Sequence, residues 1–210
     1  MIHRSLPVFV IVTTALLLGG CSSGPPTQLI TTSAVAEPAH PYIGPPVLVG
    51  RVTIPPQMDR LWLTRSAGNG HLQVSNDTRW AAPLAILIRH TVAVDLSRAL
   101  TLSEVIIPGE PGPRKSYVTL SIVITRLRIS TAAHGAAHLD MSTIWALVRH
   151  HRPPQIHHLR ITSIPEPNSG SAADALSRAI GKLADAIAMS LVRSNPPRTA
   201  ISGGSRYPTQ

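Results

Sequence analysis

The sequence predicts a single α+β domain, in which one curved, mostly antiparallel sheet carries two amphipathic helices on one face. The predicted elements follow the order β-β-β-α-β-β-β-α, and two helices are too few to cover both faces of a large sheet. The 210 residues suffice for one domain with a substantial core, but not for two. Hydrophobic residues make up 43% of the chain and aromatic residues only 3%, so the core must consist mainly of Leu, Ile, Val and Ala.

Residues 1–20 have the pattern of a signal peptide, because a short basic start precedes a nearly unbroken apolar run over residues 6–18. This run is shorter than the roughly 20 apolar residues that a membrane-spanning helix needs. Leu-Gly-Gly-Cys at residues 18–21 then resembles a bacterial lipobox, in which diacylglycerol is attached to the cysteine sulfur and the chain is cut before the cysteine. The alternative is an ordinary secretory signal with a chance cysteine, but Cys21 is the only cysteine and has no disulfide partner in the chain.

A lipidated Cys21 would anchor the protein in a membrane. Each buried methylene contributes about 0.8 kcal/mol, so two or three acyl chains hold a protein essentially permanently. The next residue is Ser22, whereas an aspartate at this position resembles an inner-membrane retention signal in enterobacterial lipoproteins. We therefore expect the outer membrane, facing the periplasm. Residues 21–46, rich in Pro, Thr, Ser, Ala and Gly, are predicted to be a tether that lifts the domain off the membrane.

The predicted domain covers residues 47–195 and begins with a strand over residues 47–54, which two prolines end. Two further strands, residues 61–64 and 71–74, flank Ala-Gly-Asn-Gly at residues 67–70. Glycine and asparagine are typical of hairpin turns, so a β-hairpin is predicted here.

The first helix is predicted to begin near Asp77 or Thr78, either of which could cap it, and to end near Leu100. Pro83 falls in its first turn, where the missing N–H costs no intrahelical hydrogen bond. Apolar residues at spacings of three and four give the helix one apolar face: Leu84, Leu87, Ile88, Val92, Leu96, Ala99 and Leu100.

Three more strands are predicted after a Pro/Gly turn at residues 108–113. The first covers residues 117–124 and extends towards residue 128, and the others cover residues 139–148 and 156–164. Since short connections join them, the three strands could form an antiparallel meander.

The last predicted element is a helix over residues 171–193. Ser171 and Asp174 resemble a capping box at its start. Its apolar stripe consists of Leu176, Ile180, Leu183, Ile187 and Leu191. Two prolines follow the helix, and residues 196–210 are predicted to be a disordered tail.

The chain is basic, with 19 Lys and Arg against 10 Asp and Glu and a formal net charge of +9. In a cytoplasmic protein this excess would indicate nucleic acid. Behind an export signal it indicates anionic lipid headgroups or an acidic protein partner instead, so no nucleic acid is expected. The arginines are spread along the chain, and a basic, solvated surface without a partner is the alternative.

No catalytic motif is visible: the sequence contains no Gly-x-Ser-x-Gly elbow, dinucleotide fingerprint or phosphate loop. We therefore expect no enzymatic activity and no cofactor. A metal site is the stronger rival, because a hairpin could bring the pairs His150-His151 and His157-His158 together, and His134 and His138 stand four residues apart. Adjacent histidines in a strand point to opposite faces and the neighbouring arginines would repel a divalent cation, so we favour a solvated basic hairpin.

Two segments carry a family resemblance. Val-Thr-Ile-Pro-Pro-Gln-Met-Asp-Arg at residues 52–60 ends in Asp59 and Arg60, and Asp-Thr-Arg-Trp-Ala-Ala-Pro-Leu at residues 77–84 contains Arg79 and Trp80. In this order, behind a lipobox and before an amphipathic helix, they resemble the PqiC (YmbA-like) family, the auxiliary lipoproteins of MCE-type (mammalian cell entry) lipid transport systems. The resemblance extends over residues 47–193.

The resemblance implies a non-enzymatic accessory subunit of an envelope lipid-transport system. Its partners would be an MCE-domain protein anchored in the inner membrane, with its transporter, and we also expect a homo-oligomeric ring at the end of the MCE tunnel. The alternative is a free-standing periplasmic lipoprotein that binds a lipid or another ligand in its own cavity.

Asp59, Arg60, Arg79 and Trp80 are the candidate signature residues, either for the fold or for contact with a partner. The Trp80 ring is expected to be buried over the sheet. Arg60 or Arg79 is expected to form an ion pair with Asp59 or Asp77.

Overall fold

The computed structural model describes residues 26–107, 109, 116–131, 137–162 and 171–195. The predicted signal peptide, Cys21 and the predicted tail over residues 196–210 lie outside the described residues.

The described part of the chain forms eight strands and two helices. In chain order they are β1 (Gln28–Ile30), β2 (Val47–Thr53), β3 (Trp62–Gly68), β4 (His71–Trp80), α1 (Leu84–Ala99), β5 (Val105–Ile106), β6 (Val118–Thr131), β7 (Ala137–Val148), β8 (Gln155–Thr162) and α2 (Ala172–Arg193). The α+β class and the single domain are confirmed. None of the helices in this part of the chain is both long and apolar enough to cross a membrane.

The strands form two mixed sheets, whereas the sequence predicted one mostly antiparallel sheet. Five strands have the order β5-β2-β6-β7-β8, and three have the order β1-β4-β3. In the large sheet β2 pairs in parallel with β5 and β6, while β6, β7 and β8 form the predicted antiparallel meander. A parallel pair needs a long crossover connection. The connection from β2 to β6 contains β3, β4, α1 and β5, and within it the hairpin β3–β4 pairs with β1 in a separate sheet.

The turn of the hairpin β3–β4 lies where the sequence predicted it. Gly68, Asn69 and Gly70 all have positive φ, at 88°, 47° and 79°. Glycine and asparagine tolerate this left-handed backbone conformation better than other residues, so the local sequence specifies the turn.

The first helix begins at Leu84, seven residues later than the earliest predicted cap, Asp77. Asp77 and Thr78 lie in β4, which continues to Trp80. The strand is longer than predicted because β1 pairs with its end, and the N–H of Ala81 donates to the Ile30 carbonyl at 2.8 Å. The residue at the N-cap of α1 is Pro83, without a side-chain cap.

The second helix and its capping box are confirmed. The Ser171 N–H donates to Asp174 Oδ2 at 2.9 Å, and the Asp174 N–H donates to Ser171 Oγ at 3.4 Å. These bonds satisfy N–H groups that have no partner within the helix.

Both helices lie on one face of the large sheet, with α1 over β2 and β5 and α2 over β7 and β8. Along β7 every second residue from Ala137 to Leu147 is buried, which is the alternation expected of a strand covered on one face. The layer between helices and sheet is largely aliphatic, as the composition required. Buried helix residues include Leu84, Ile88, Val92, Leu96, Leu176, Ile180, Leu183, Ile187 and Leu191.

Residues 31–46, called the strap below, contact both helices. The sequence placed them in the tether over residues 21–46. The Ser33 N–H donates to Ser177 Oγ in α2 at 3.0 Å, and the Tyr42 ring is buried. The strap has the composition of a loop, but side chains of the helices accept hydrogen bonds from its backbone N–H groups. These contacts join residues far apart in the chain, so the local sequence does not predict them.

Asp95 of α1 makes the main polar contact with the strap. Its Oδ1 accepts hydrogen bonds from the N–H groups of Val35 and Ala36, at 2.7 and 2.8 Å. The strap also packs against Gly181 of α2, so closely that an added Cβ at this glycine would be 2.6 Å from Val35 Cγ2. The close approach to α2 therefore depends on this glycine.

Candidate interaction surfaces

Asp59 and Arg60 lie in the turn between β2 and β3 and are exposed. The Met58 N–H donates to the Pro55 carbonyl at 2.9 Å, which closes the turn. The Met58 side chain is buried in the core, so it anchors the turn while the next two residues face solvent. The turn can therefore present one acidic and one basic group to a partner.

Arg79 and Trp80 end β4 and point to opposite faces of the small sheet. The Trp80 side chain is buried as expected, although the residue ends a strand and does not begin a helix. The backbone N–H of Trp80 donates to the Leu61 carbonyl at 2.7 Å. Arg79 is exposed, as the alternation of a strand requires. The structure thus brings all four signature residues to the same end of the small sheet.

Three exposed side chains form one row across the small sheet, and we call them the Trp62 row: Leu29 of β1, Arg79 of β4 and Trp62 of β3. Arg79 pairs with Leu29 on one side and with Trp62 on the other. Leu29 is 61% exposed and Trp62 38% exposed. A large ring and a leucine beside a guanidinium form an amphipathic surface. Sequence reasoning missed Trp62 and Leu29, because the pairing of β1 with β4 joins distant segments.

The expected ion pairs among the signature residues are absent. Within the described residues, no ion pair includes Asp59, Arg60 or Arg79. Asp77 accepts hydrogen bonds from the Ser75 and Thr78 hydroxyls at 2.6 and 2.9 Å, and these bonds, Ser75 first, lower the pKa of its carboxyl. The charged groups of Arg60 and Arg79 therefore remain available to a ligand.

A groove of about 620 Å³ lies between β8 and the C-terminal half of α2. Trp145 and His157 line it, with stacked rings whose centroids are 5.2 Å apart. Met189 and the 62% exposed Ile156 add apolar surface, and Arg193 adds a positive charge. In the described part of the chain, no strand pairs with the outer side of β8. The backbone groups on that side can accept a further strand.

A second groove, of about 570 Å³, lies where the hairpin β3–β4 meets β6. Met58 and Leu72 supply apolar surface, and Arg126 and Arg128 supply positive charge. Arg126 is partly neutralised, because its Nε lies 3.1 Å from Asp140 Oδ2. Both grooves are open to solvent and basic, and neither is an enclosed apolar cavity.

The histidines of the predicted hairpin do not converge on one point. His157 and His158 both border the groove, His157 half-buried and His158 exposed, whereas His150 and His151 lie in the turn before β8, with ring centroids 3.7 Å apart. The described residues contain no group of three or more His, Cys, Asp or Glu side chains placed to hold a metal ion. The other predicted pair includes His134, which lies outside those residues.

Comparison with known proteins gives one family match and similar folds. The model of a family described as "ABC-type transport auxiliary lipoprotein component" matches residues 28–188. A crystal structure of a Xanthomonas campestris protein of family DUF330 is similar, with a TM-score of 0.63 and 15% identity over 80% of this chain and 97% of that chain. Another crystal structure, of an uncharacterized protein, has a TM-score of 0.48 and 16% identity over 79% of this chain and 99% of that chain. No curated protein matches the sequence.

Proposed function

The chain belongs to the family of ABC-type transport auxiliary lipoprotein components, and on this basis we propose that it is a non-enzymatic, lipid-anchored accessory subunit of a transporter in the cell envelope. The observation that carries this proposal is the extent of the family match. It begins at Gln28, the first residue of β1, and includes every described strand and most of α2.

We further propose that the transporter is of the MCE type and that the protein faces the periplasm from the outer membrane. The resemblance of residues 52–60 and 77–84 to the PqiC family supports the MCE assignment. The lipobox at residues 18–21 supports the anchor, and Ser22 supports the outer membrane.

The anchor can be tested directly. Cys21→Ser should leave an unprocessed precursor that incorporates no labelled fatty acid, whereas the wild-type chain is processed and labelled. Absence of acyl label on the wild-type chain would contradict lipidation, and fractionation of the labelled protein into the inner membrane would contradict the outer-membrane assignment.

The groove beside β8 is the surface that we assign to the protein partner. An extended segment of a partner can add to β8 through backbone hydrogen bonds while its side chains enter the groove. His157, His158 and Arg193 line the groove, and no carboxylate is among the described residues that line it. The partner segment should therefore alternate apolar and acidic residues.

Co-purification with the MCE-domain protein tests both the partner and the surface. Arg193→Glu should reduce recovery of the MCE protein several-fold, because it reverses a charge in the groove. Lys182→Glu is the matched control, since it is an exposed residue of the same helix outside the groove. If the wild-type protein fails to retain the MCE protein, the MCE assignment is wrong; equal losses in the two variants would exclude the groove.

The rival function, a free-standing lipid carrier, requires a cavity that shields acyl chains from water. The groove beside β8 and the groove beside β6 are both open to solvent and carry basic side chains, which favours the accessory role. Mass spectrometry of lipids extracted from the purified protein separates the two. Only covalently attached acyl chains are expected, and a stoichiometric free lipid would favour the carrier.

A further inference from the structure

We propose that the Trp62 row, together with Arg60, contacts the headgroup region of the membrane in which the protein is anchored. The inference goes beyond the accessory role, and it rests on the lipidation of Cys21 proposed above. It combines three features of the structure: the point at which the chain enters the domain, the exposed apolar side chains beside that point, and the guanidinium groups of Arg60 and Arg79, which form no ion pair with a described residue.

The length of chain between the anchor and the domain limits how far the domain lies from the membrane. Six residues separate Cys21 from Gln28, the first residue of β1, so seven Cα–Cα steps join the two. An extended chain spans at most about 3.5 Å per residue, so this connection reaches no more than about 25 Å. A tether over residues 21–46 would have reached more than three times as far. The small sheet must therefore remain close to the membrane surface.

The Trp62 row is the part of the small sheet that adjoins this entry point. Leu29 follows the first residue of β1, and its pairing with Arg79 fixes the row beside the incoming chain. Trp62 lies on the other side of Arg79. A membrane that holds Cys21 is consequently within reach of all three side chains.

The chemistry of the row matches a membrane interface. Tryptophan concentrates at the level of lipid headgroups, where its ring is apolar and its N–H can remain hydrated. Leucine can enter the edge of the acyl region, and arginine can donate to phosphate oxygens. Trp62 is the exposed tryptophan of the three in the chain, since Trp80 and Trp145 are buried.

Charge alone does not explain the contact. Asp59 lies in the same turn as Arg60, and Asp77 lies two residues before Arg79, so the net charge of this end of the sheet is small. Insertion of Trp62 and Leu29 must then supply most of the free energy of membrane binding, while the arginines bind lipid phosphate groups. An acidic protein would instead need a surplus of positive charge here, which favours a lipid surface as the occupant.

Tryptophan fluorescence tests the proposal with the mature, lipidated protein. The protein is reconstituted into phosphatidylethanolamine and phosphatidylglycerol vesicles, and quenching by lipids brominated high in the acyl chain is measured. We expect strong quenching of the wild-type protein and loss of most of it in Trp62→Phe. Trp145→Phe is the control, because it removes a buried ring and should leave the quenched signal in place.

A second reporter position locates the membrane-facing side. Ile156 is 62% exposed on β8, the edge strand of the other sheet. In the Trp62→Phe background, Ile156→Trp should give little quenching. Equal quenching at positions 62 and 156, or undiminished quenching in Trp62→Phe, would overturn the proposal. Mass spectrometry first establishes whether Cys21 carries acyl chains. If it carries none, the proposal fails because its premise is wrong. If the protein is lipidated but its fluorescence is not quenched, the membrane contact of the Trp62 row is refuted, while the accessory role is unaffected.

Discussion

Arg79 and Trp80 are neighbours in the sequence but lie on opposite faces of the small sheet. Trp80 is 2% exposed and belongs to the main core, whereas Arg79 is exposed and forms no ion pair with a described residue. The family-like motif therefore combines a residue that stabilises the fold with one that is free to contact a ligand. Because the two side chains lie on opposite faces, a substitution at one position can test its role without removing the other side chain.

We predict that Trp80→Ala lowers the free energy of unfolding by about 3–5 kcal/mol, the usual cost of removing a large buried ring. Arg79→Ala should change it by no more than about 0.5 kcal/mol, since the side chain is exposed. Chemical denaturation followed by circular dichroism measures both values. Similar losses in the two variants would contradict the opposite placement of the side chains.

At the scale of elements, the strap changes how α1 and α2 are buried. The sequence predicts one apolar face for each helix, but both helices also bury polar groups where the strap crosses them, notably Asp95, Thr91 and Ser177. Thr91 and Thr32 of the strap share a hydrogen bond of 2.6 Å between their hydroxyls. Burial, only partly opposed by the hydrogen bonds from Ala36 and Val35, raises the pKa of Asp95 above its ordinary value of 3.8.

We predict that Asp95→Ala destabilises the protein by about 2–4 kcal/mol, because two strap N–H groups lose their acceptor. Asp95→Asn should cost less, since its amide oxygen can replace Oδ1 as the acceptor. If Asp95 made no contact with the strap, the two variants would lose similar amounts.

The pH dependence of stability, compared between the wild-type protein and Asp95→Asn, isolates the effect of ionising Asp95. A carboxyl whose pKa is raised by folding binds its proton more tightly in the folded state, so its contribution to stability is largest below pH 3.8 and declines as the pH rises through the raised value. The stability of the wild-type protein relative to Asp95→Asn should therefore increase as the pH is lowered from 7 towards 4. Denaturation curves at several pH values measure this difference, and a difference independent of pH would contradict the assignment.

At the scale of the whole molecule, the two sheets give the protein two separate surfaces. The Trp62 row adjoins the point where the anchored chain enters, and the groove beside β8 lies on the edge of the other sheet. In the role proposed above, the separation of these surfaces would allow the protein to contact the membrane and a periplasmic partner at the same time.

We also predict that copies of this protein assemble into a ring. A lipoprotein at the end of a symmetric tunnel can contact every tunnel subunit only by repeating around the same axis, and head-to-tail contacts that close form a ring. Repulsion between these basic copies opposes this, although salt screens exposed charges beyond about 8–10 Å. We expect a monomer or a weak ring in dilute solution, and a ring with the MCE protein. Mass measurement of both samples tests this, and a strict one-to-one monomeric complex at saturation would exclude the ring.

The sequence alone was sufficient to predict those structural features that depend on residues close together in the chain. The turn at Gly68 and Gly70 follows from residues that tolerate positive φ, and the start of α2 follows from Ser171 and Asp174 three residues apart. The meander follows from alternating apolar residues and short connections. The burial of Trp80 was also predicted, although the residue ends a strand and does not begin a helix.

Only the tertiary structure determined what depends on residues far apart in the chain. The pairing of β1 with β4 moved the start of α1 from Asp77 to Leu84 and created the Trp62 row. Asp95 and Gly181 turned most of a predicted tether into the strap, because they satisfy and accommodate a backbone that has no regular pattern of its own. Local propensity cannot show which distant side chain will satisfy a backbone N–H group, because that side chain is brought near only when the helices and sheets have packed.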